Sequence, residues 1–204
     1  ATMNLSTKKV MYYTSKIPWN VENYILSEDK KTIGFVTNEA GLNKMYLMKA
    51  SDKSYAAVKN IPIGLIGGGA FTKDNQQLFF TQSTAQTASD VYKLNLATGA
   101  IQRWTESELG EMQQSDMALP KFIEWKSFDN LKISGFYYPA AAKFIGKRPV
   151  LINIHGGPEG QSMASFLGSN NYYTNEMGVA LIFPNVRGSS GFGKTFIVKD
   201  YGFL

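Results

Sequence analysis

Two short apolar runs, each closed by a glycine-rich turn, restrict this chain more than any other feature. Val150-Leu151-Ile152-Asn153-Ile154 is rich in β-branched residues, too short for a helix and broken at His155-Gly156-Gly157-Pro158, so it reads as a strand buried on both faces. The glycines let the backbone approach a ligand with its N–H groups bare, and Pro158 fixes the direction in which the chain leaves. Such a turn can hold an oxyanion; an ordinary strand-to-helix turn would use the same four residues. A second buried strand, Gly178-Val179-Ala180-Leu181-Ile182-Phe183, leads into Pro184-Asn185-Val186-Arg187-Gly188-Ser189-Ser190-Gly191-Phe192-Gly193. Residues 165–177 leave room for one helix between them. Strand, crossover and strand make a βαβ unit of a parallel sheet.

The pair His155-Gly156-Gly157-Pro158 and Asn185-Val186-Arg187-Gly188-Ser189-Ser190-Gly191-Phe192-Gly193, at this separation, resembles the prolyl oligopeptidase family of serine peptidases. The Pro158-Glu159-Gly160-Gln161 extension is most similar to its acylaminoacyl-peptidase-like branch. The resemblance implies β-propeller blades followed by an α/β-hydrolase domain, and acyl-enzyme hydrolysis of short peptides with the propeller limiting substrate size. In α/β-hydrolases one oxyanion donor is a backbone N–H from the loop after the third strand. The catalytic expectation therefore falls on the loop His155, Gly156 and Gly157, and within it on the Gly157 N–H. Some members carry a tyrosine at the position of His155, whose hydroxyl is credited with helping to hold the oxyanion. The histidine here reads instead as a loop-bracing side chain. Arg187 has two readings: its planar fork receives a substrate carboxylate, or it pins the loop after the second run to an acid or to carbonyls. Glu159 reads as a solvated loop charge.

By the same resemblance the chain holds strands one to four of the hydrolase sheet and its first helix. The nucleophile of that fold follows strand five on a Gly-x-Ser-x-Gly elbow, and the triad runs Ser, Asp, His. No such elbow occurs in the sequence; Gly160-Gln161-Ser162-Met163-Ala164 ends in alanine, and Ser189 and Ser190 read as lacking a nearby base. The expectation is an internal fragment with its triad beyond Leu204, catalytically silent alone. Its Val150 to Ile154 strand is then a bare apolar edge prone to aggregation.

The first part of the chain has a different grammar. Ser27-Glu28-Asp29 and Thr72-Lys73-Asp74 are matching turns whose separation, 74 − 29, is 45 residues; Phe35 and Phe80 follow at equal distances, and Tyr46 and Tyr92 lie in later alternating runs. Short strands repeating at about 45 residues describe four-stranded propeller blades. A β-sandwich of two similar hairpins is the other architecture compatible with two copies. The expected division is residues 1–118, about two blades plus a fragment at 9–14, and residues 119–204, the N-terminal part of an α/β-hydrolase domain. Phe122 to Lys126 and Lys132 to Tyr138 read as paired entry strands turning at Phe128-Asp129-Asn130. Ala140 to Arg148 reads as a linker, and Gly67-Gly68-Gly69 as a flexible loop between blades.

Composition narrows the rest. The formal charge of +5 is scattered without a basic run, which argues against nucleic acid as a partner, and the lack of cysteine removes disulfides and thiolate metal sites. With a single histidine no metal is expected, and no cofactor. No apolar run approaches the roughly 18 residues that cross a membrane. Short peptides are the expected partners. Two rival functions stay open. Gly188 to Thr195 satisfies the phosphate-binding pattern Gly-x-x-x-x-Gly-Lys-Thr, with Lys194 and Thr195 as its phosphate and Mg²⁺ ligands. A non-catalytic propeller scaffold is the other.

Overall fold

A computed structural model describes residues 1–157 and 159–201; Pro158 and Gly202 to Leu204, including the expected exit direction at Pro158, lie outside the described residues. The chain is mostly β-structure. A small hairpin, β1 (Thr2–Met3) and β2 (Val10–Met11), precedes a four-stranded antiparallel meander of β3 (Asn20–Leu26), β4 (Thr32–Glu39), β5 (Leu42–Lys49) and β6 (Tyr55–Ala57). A second such meander follows, of β7 (Gly64–Phe71), β8 (Gln77–Thr84), β9 (Thr87–Asn95) and β10 (Ile101–Arg103). Both sheets are open, with free outer strands.

The matching turns build matching structure. Asp29 Oδ1 accepts from Ser27 Oγ at 2.7 Å and from the Lys31 N–H at 3.0 Å, while Asp74 Oδ1 accepts from Thr72 Oγ1 at 2.5 Å and from the Gln76 N–H at 3.1 Å. These side-chain bonds replace the ladder bonds that a turning backbone gives up. Lys30 and Asn75 supply the positive φ, 58° and 57°, that each turn needs. Downstream, Phe35 pairs across the ladder with Tyr46 and Phe80 with Tyr92, their rings stacked at 5.0 and 5.9 Å. The two sheets bury a common core, with Val36 and Met45 of one against Ile66, Phe71, Leu78, Phe80, Tyr92 and Leu94 of the other. Each large side chain so buried contributes roughly 1.5–3 kcal/mol.

The triple glycine is strand, not a loop between units. Gly67 to Gly69 lie within β7, where the register against β8 shifts between Ile66 and Gly69. The reason is steric: a Cβ on Gly67 would meet Thr81 Oγ1 at 2.3 Å, and one on Gly69 would meet Phe79 O at 2.2 Å. Glycine lets the bulged strand lie against its partner.

After an extended connection with one 3₁₀ turn, Gln114–Asp116, a mixed sheet begins. It contains β11 (Lys121–Lys126), β12 (Lys132–Tyr138), β13 (Val150–Ile152) and β14 (Ala180–Asn185), in the order β11-β12-β14-β13. The first two strands are an antiparallel hairpin, β12 is antiparallel to β14, and β13 runs parallel to β14. The crossover carries the expected helix only as α1 (Asn171–Asn175), preceded by a 3₁₀ turn at Gly168–Asn170, and a further short helix, α2 (Lys194–Ile197), follows β14. The expectation that Val150 to Ile154 is buried on both faces fails, while that of a bare apolar edge is met. This strand is the sheet's outer member, and Val150, Leu151, Ile152 and Ile154 are 50%, 42%, 58% and 61% exposed. A second core, Phe136, Tyr138, Leu181, Ala164, Leu167 and Ala85 with Leu42 and Phe183 against it, joins the mixed sheet to the hairpin tips of both meanders.

Candidate functional site

The site is built where β13 and β14 end side by side. Parallel pairing brings both strands out at the same edge, so the loop at 153–161 and the loop at 186–193 become neighbours. Asn153 continues the ladder by donating its N–H to Ile182 O at 2.8 Å, and the chain then turns through His155, Gly156 and Gly157. Gly156 and Gly157 are exposed, and neither N–H has an acceptor among the described residues. Gly157 holds φ at 122°, a conformation side chains resist. Two adjacent amide hydrogens at the end of a sheet can thus point at a ligand.

The His155 ring is committed to the neighbouring loop. Its Nε2 lies 2.8 Å from Ser189 Oγ, and its Nδ1 lies 3.1 Å from Gly156 O. This corrects the reading that Ser189 lacks a nearby base, yet the contact does not make a nucleophile. Ser189 is fully buried, and its hydroxyl donates to Val186 O at 2.6 Å. A hydroxyl has one proton and a neutral imidazole one N–H, so the contacts at Val186 O, Ser189 Oγ and Gly156 O are not all made at once, and the ring's tautomer decides which. Burial is what keeps Ser189 from a substrate: none of its surface is exposed. The imidazole also sets the need for glycine at 160, where a Cβ would meet Gly156 O at 2.5 Å and His155 Nδ1 at 2.8 Å.

Polar clasps tie the rest of the loop down. The Ser162 N–H donates to Asn185 Oδ1 at 2.7 Å, Asn185 Nδ2 returns a bond to Ser162 O at 3.0 Å, and Ser162 Oγ donates to Pro184 O at 3.1 Å. The Ser190 N–H reaches Gly160 O at 3.1 Å. Beneath the loop a cavity of about 280 Å³ is lined by His155, Gln161, Tyr138, Phe166, Leu167 and Phe183 among others. Burial pushes the Tyr138 hydroxyl up to about 12, against the Ser165 N–H that donates to its oxygen at 3.2 Å, so it stays neutral and donates to Ser165 O at 3.1 Å.

The remaining expected residues fall outside the turn. Arg187 donates to Asp129 Oδ1 at 2.9 Å and stacks over the Phe128 ring, so its guanidinium is engaged with the β11–β12 turn. That pairing holds the Asp129 carboxyl below its ordinary value. Glu159 accepts a bond from the Tyr201 hydroxyl at 2.6 Å. The phosphate-loop pattern at 188–195 does not offer its amides freely, since the Ser189 and Ser190 N–H groups donate to Val186 O at 3.0 Å and Gly160 O at 3.1 Å. The Asp200 carboxyl packs so closely on Gly188 that a Cβ there would meet it at 2.5–2.6 Å, and one on Gly191 would meet Gln161 Nε2 at 2.2 Å. A carboxylate in that position repels the anion the pattern would bind. Among the described residues no group of three or more His, Asp or Glu is placed to hold a metal ion, and no helix is long and apolar enough to cross a membrane.

Sequence reasoning missed Ser189 as the partner of His155, Asn185 as the clasp and Gln161 as a bridge. The first two stood in the quoted Asn185 to Gly193 motif, and the third closed the Pro158 to Gln161 extension.

No family model matches the chain. An uncharacterized peptidase, YuxL of Bacillus subtilis (strain 168), is 23% identical over 151 residues, 67% of this chain and 21% of its own length. The acylaminoacyl peptidase of Pyrococcus horikoshii superposes with a TM-score of 0.68 at 22% identity, over 91% of this chain and 28% of that one. Prolyl oligopeptidase B from Galerina marginata, solved with a 35mer hydrolysis and macrocyclization substrate, gives 0.73 at 14% identity, over 88% and 26%. The solved structures establish a shared fold, and the chain spans between 21% and 28% of the length of these relatives.

Proposed function

Because the chain resembles peptidases of the prolyl oligopeptidase family in sequence and shares the fold of its members, we propose that it is part of a longer serine peptidase acting on short peptides through an acyl-enzyme. In this reading the two meanders are propeller blades, residues 119–204 are the N-terminal part of an α/β-hydrolase domain, and the Gly157 N–H is one donor of the oxyanion hole. The observation that carries it is the exposed turn closing β13, whose two glycine N–H groups have no acceptor among the described residues. A donor already bonded to protein would cost its exchange at the moment of reaction; a free, fixed one does not. Residues outside these 204 supply the attacking serine, since Ser189 is fully buried and no Gly-x-Ser-x-Gly elbow is present. His155 and Gly156 shape the turn, and Arg187 braces the neighbouring loop through Asp129 rather than receiving substrate.

The test compares the complete gene product with residues 1–204 alone, using peptidyl p-nitroanilides and a fluorophosphonate serine label. Hydrolysis and labelling by the complete protein, with neither by the short chain, is the expected result. Labelling of the short chain at Ser189 would overturn the assignment of the nucleophile, and an inert complete protein would leave the scaffold reading in its place.

A further inference from the structure

The turn at His155 to Gly157 makes few bonds of its own, so its position depends on what holds its ends. Most of those anchors belong to the mixed sheet: Asn153 to Ile182, Gly160 to Ser190, and the Ser162–Asn185 clasp. Two do not. Asn38 Nδ2 donates to Gln161 Oε1 at 2.6 Å, with the reverse bond from Gln161 Nε2 to Asn38 Oδ1 at 3.4 Å, and the Ala164 N–H donates to Gly41 O at 3.3 Å. Both partners sit at the β4–β5 hairpin of the first meander.

Asn38 is fixed before Gln161 meets it. It is 3% exposed, its Oδ1 accepts the Gly41 N–H at 2.9 Å, and its Nδ2 also donates to Glu22 Oε1 at 2.8 Å. The hairpin tip is itself seated against the mixed sheet, since a Cβ on Gly41 would meet the Phe136 ring and Ser162 O, both at 2.8 Å. Gln161 therefore stands between three elements: the hairpin, its own loop and Gly191 of the loop after β14. A half-buried amide pair is directional in a way an apolar contact is not, and an oxyanion donor loses its effect when displaced by a fraction of an ångström.

We propose that the Asn38–Gln161 amide pair is a positioning device, through which the first meander sets the placement of the Gly157 N–H. It rests on the reading of Gly157 as an oxyanion donor. Neither residue touches substrate; both act through the loop. In the complete protein, Gln161→Met keeps the side chain's volume against Gly191 and removes both bonds to Asn38. The expected result is a kcat lowered about tenfold with KM within twofold, because a misplaced donor weakens the transition state more than the ground state. Amide hydrogen exchange of residues 153–162 should rise together with that loss, while the melting temperature stays near wild type. Asn38→Ser, which retains an oxygen for the Gly41 N–H but cannot reach Gln161, should give the same split if the first variant folds poorly. An active wild type whose variants match it in kcat overturns the positioning role, even where exchange has risen. A wild type that hydrolyses nothing sinks the peptidase reading instead.

Discussion

The meanders and the mixed sheet dispose of their apolar side chains in different ways. The inner sides of the two meanders meet each other, Val36 and Met45 against Leu78 and Phe80, and each strand's hydrogen-bonded neighbour is the next in sequence. The mixed sheet draws β13 and β14 together across a crossover and leaves β13 with a partner on one side only. An antiparallel meander is complete once its own turns form. A parallel strand depends on segments far away in sequence, and its burial is decided by them.

The sharpest way to break this contrast is at the free edge. The chain expressed as residues 1–204 should self-associate through β13, and Ile152→Lys should shift it toward monomer on size exclusion, since charge on an edge strand blocks strand addition. No shift would mean the edge is not where copies meet. Within the second meander, Asp90 is the most heavily bonded polar side chain: it is 1% exposed and accepts from Arg103, Thr105 and Ser107. Asp90→Ala should cost about 3 kcal/mol in urea unfolding, as breaking a buried ion pair does. Burial alone would raise its carboxyl, but Thr105, Arg103 and Ser107 together hold it below the ordinary 3.8. A depressed carboxyl stabilises fully above its unfolded value and loses that contribution as pH falls through the folded one. The wild type should therefore lose stability below about pH 4 in a way that Asp90→Asn does not. At the seam between the regions, Gly41 has φ of 88° and no room for a Cβ, so Gly41→Ala should cost about 2 kcal/mol and loosen both. Its neighbour Ala40 holds φ of 56° in the same two-residue turn, and Ala40→Asn should stabilise by about 0.5 kcal/mol by relieving the left-handed strain.

What could be read from the sequence follows the same division. Phe35, Phe80, Tyr46 and Tyr92 were legible as marks of a repeat, and their pairing across the ladder came with the structure. The Ser27–Asp29 and Thr72–Asp74 turns were legible because each is closed within a few residues. The β11–β12 hairpin was legible for the same reason, with Asn130 taking the positive φ that its turn signal implied. Gly67 to Gly69 misled because a glycine run signals freedom, whereas here Gly67 answers to the Thr81 side chain and Gly69 to the Phe79 backbone of the next strand. The apolar pattern of Val150 to Ile154 stated what the strand is suited to, not what stands beside it. His155 meets Ser189 across 34 positions and Asn38 meets Gln161 across 123, and periodicity carries no register over such spans. The candidate oxyanion turn was visible by resemblance; the bonds that steady it were not.

Asp200 lends the eight residues from Gly188 to Thr195 a wider meaning. A string search would file this protein with the nucleotide binders, since every letter of that pattern is in place. The letters specify which backbone can curl, and here the chain's own acid is packed against the first glycine of the curl. Identity along a line and vacancy in space are separate properties, and only the second decides what a curled backbone can receive.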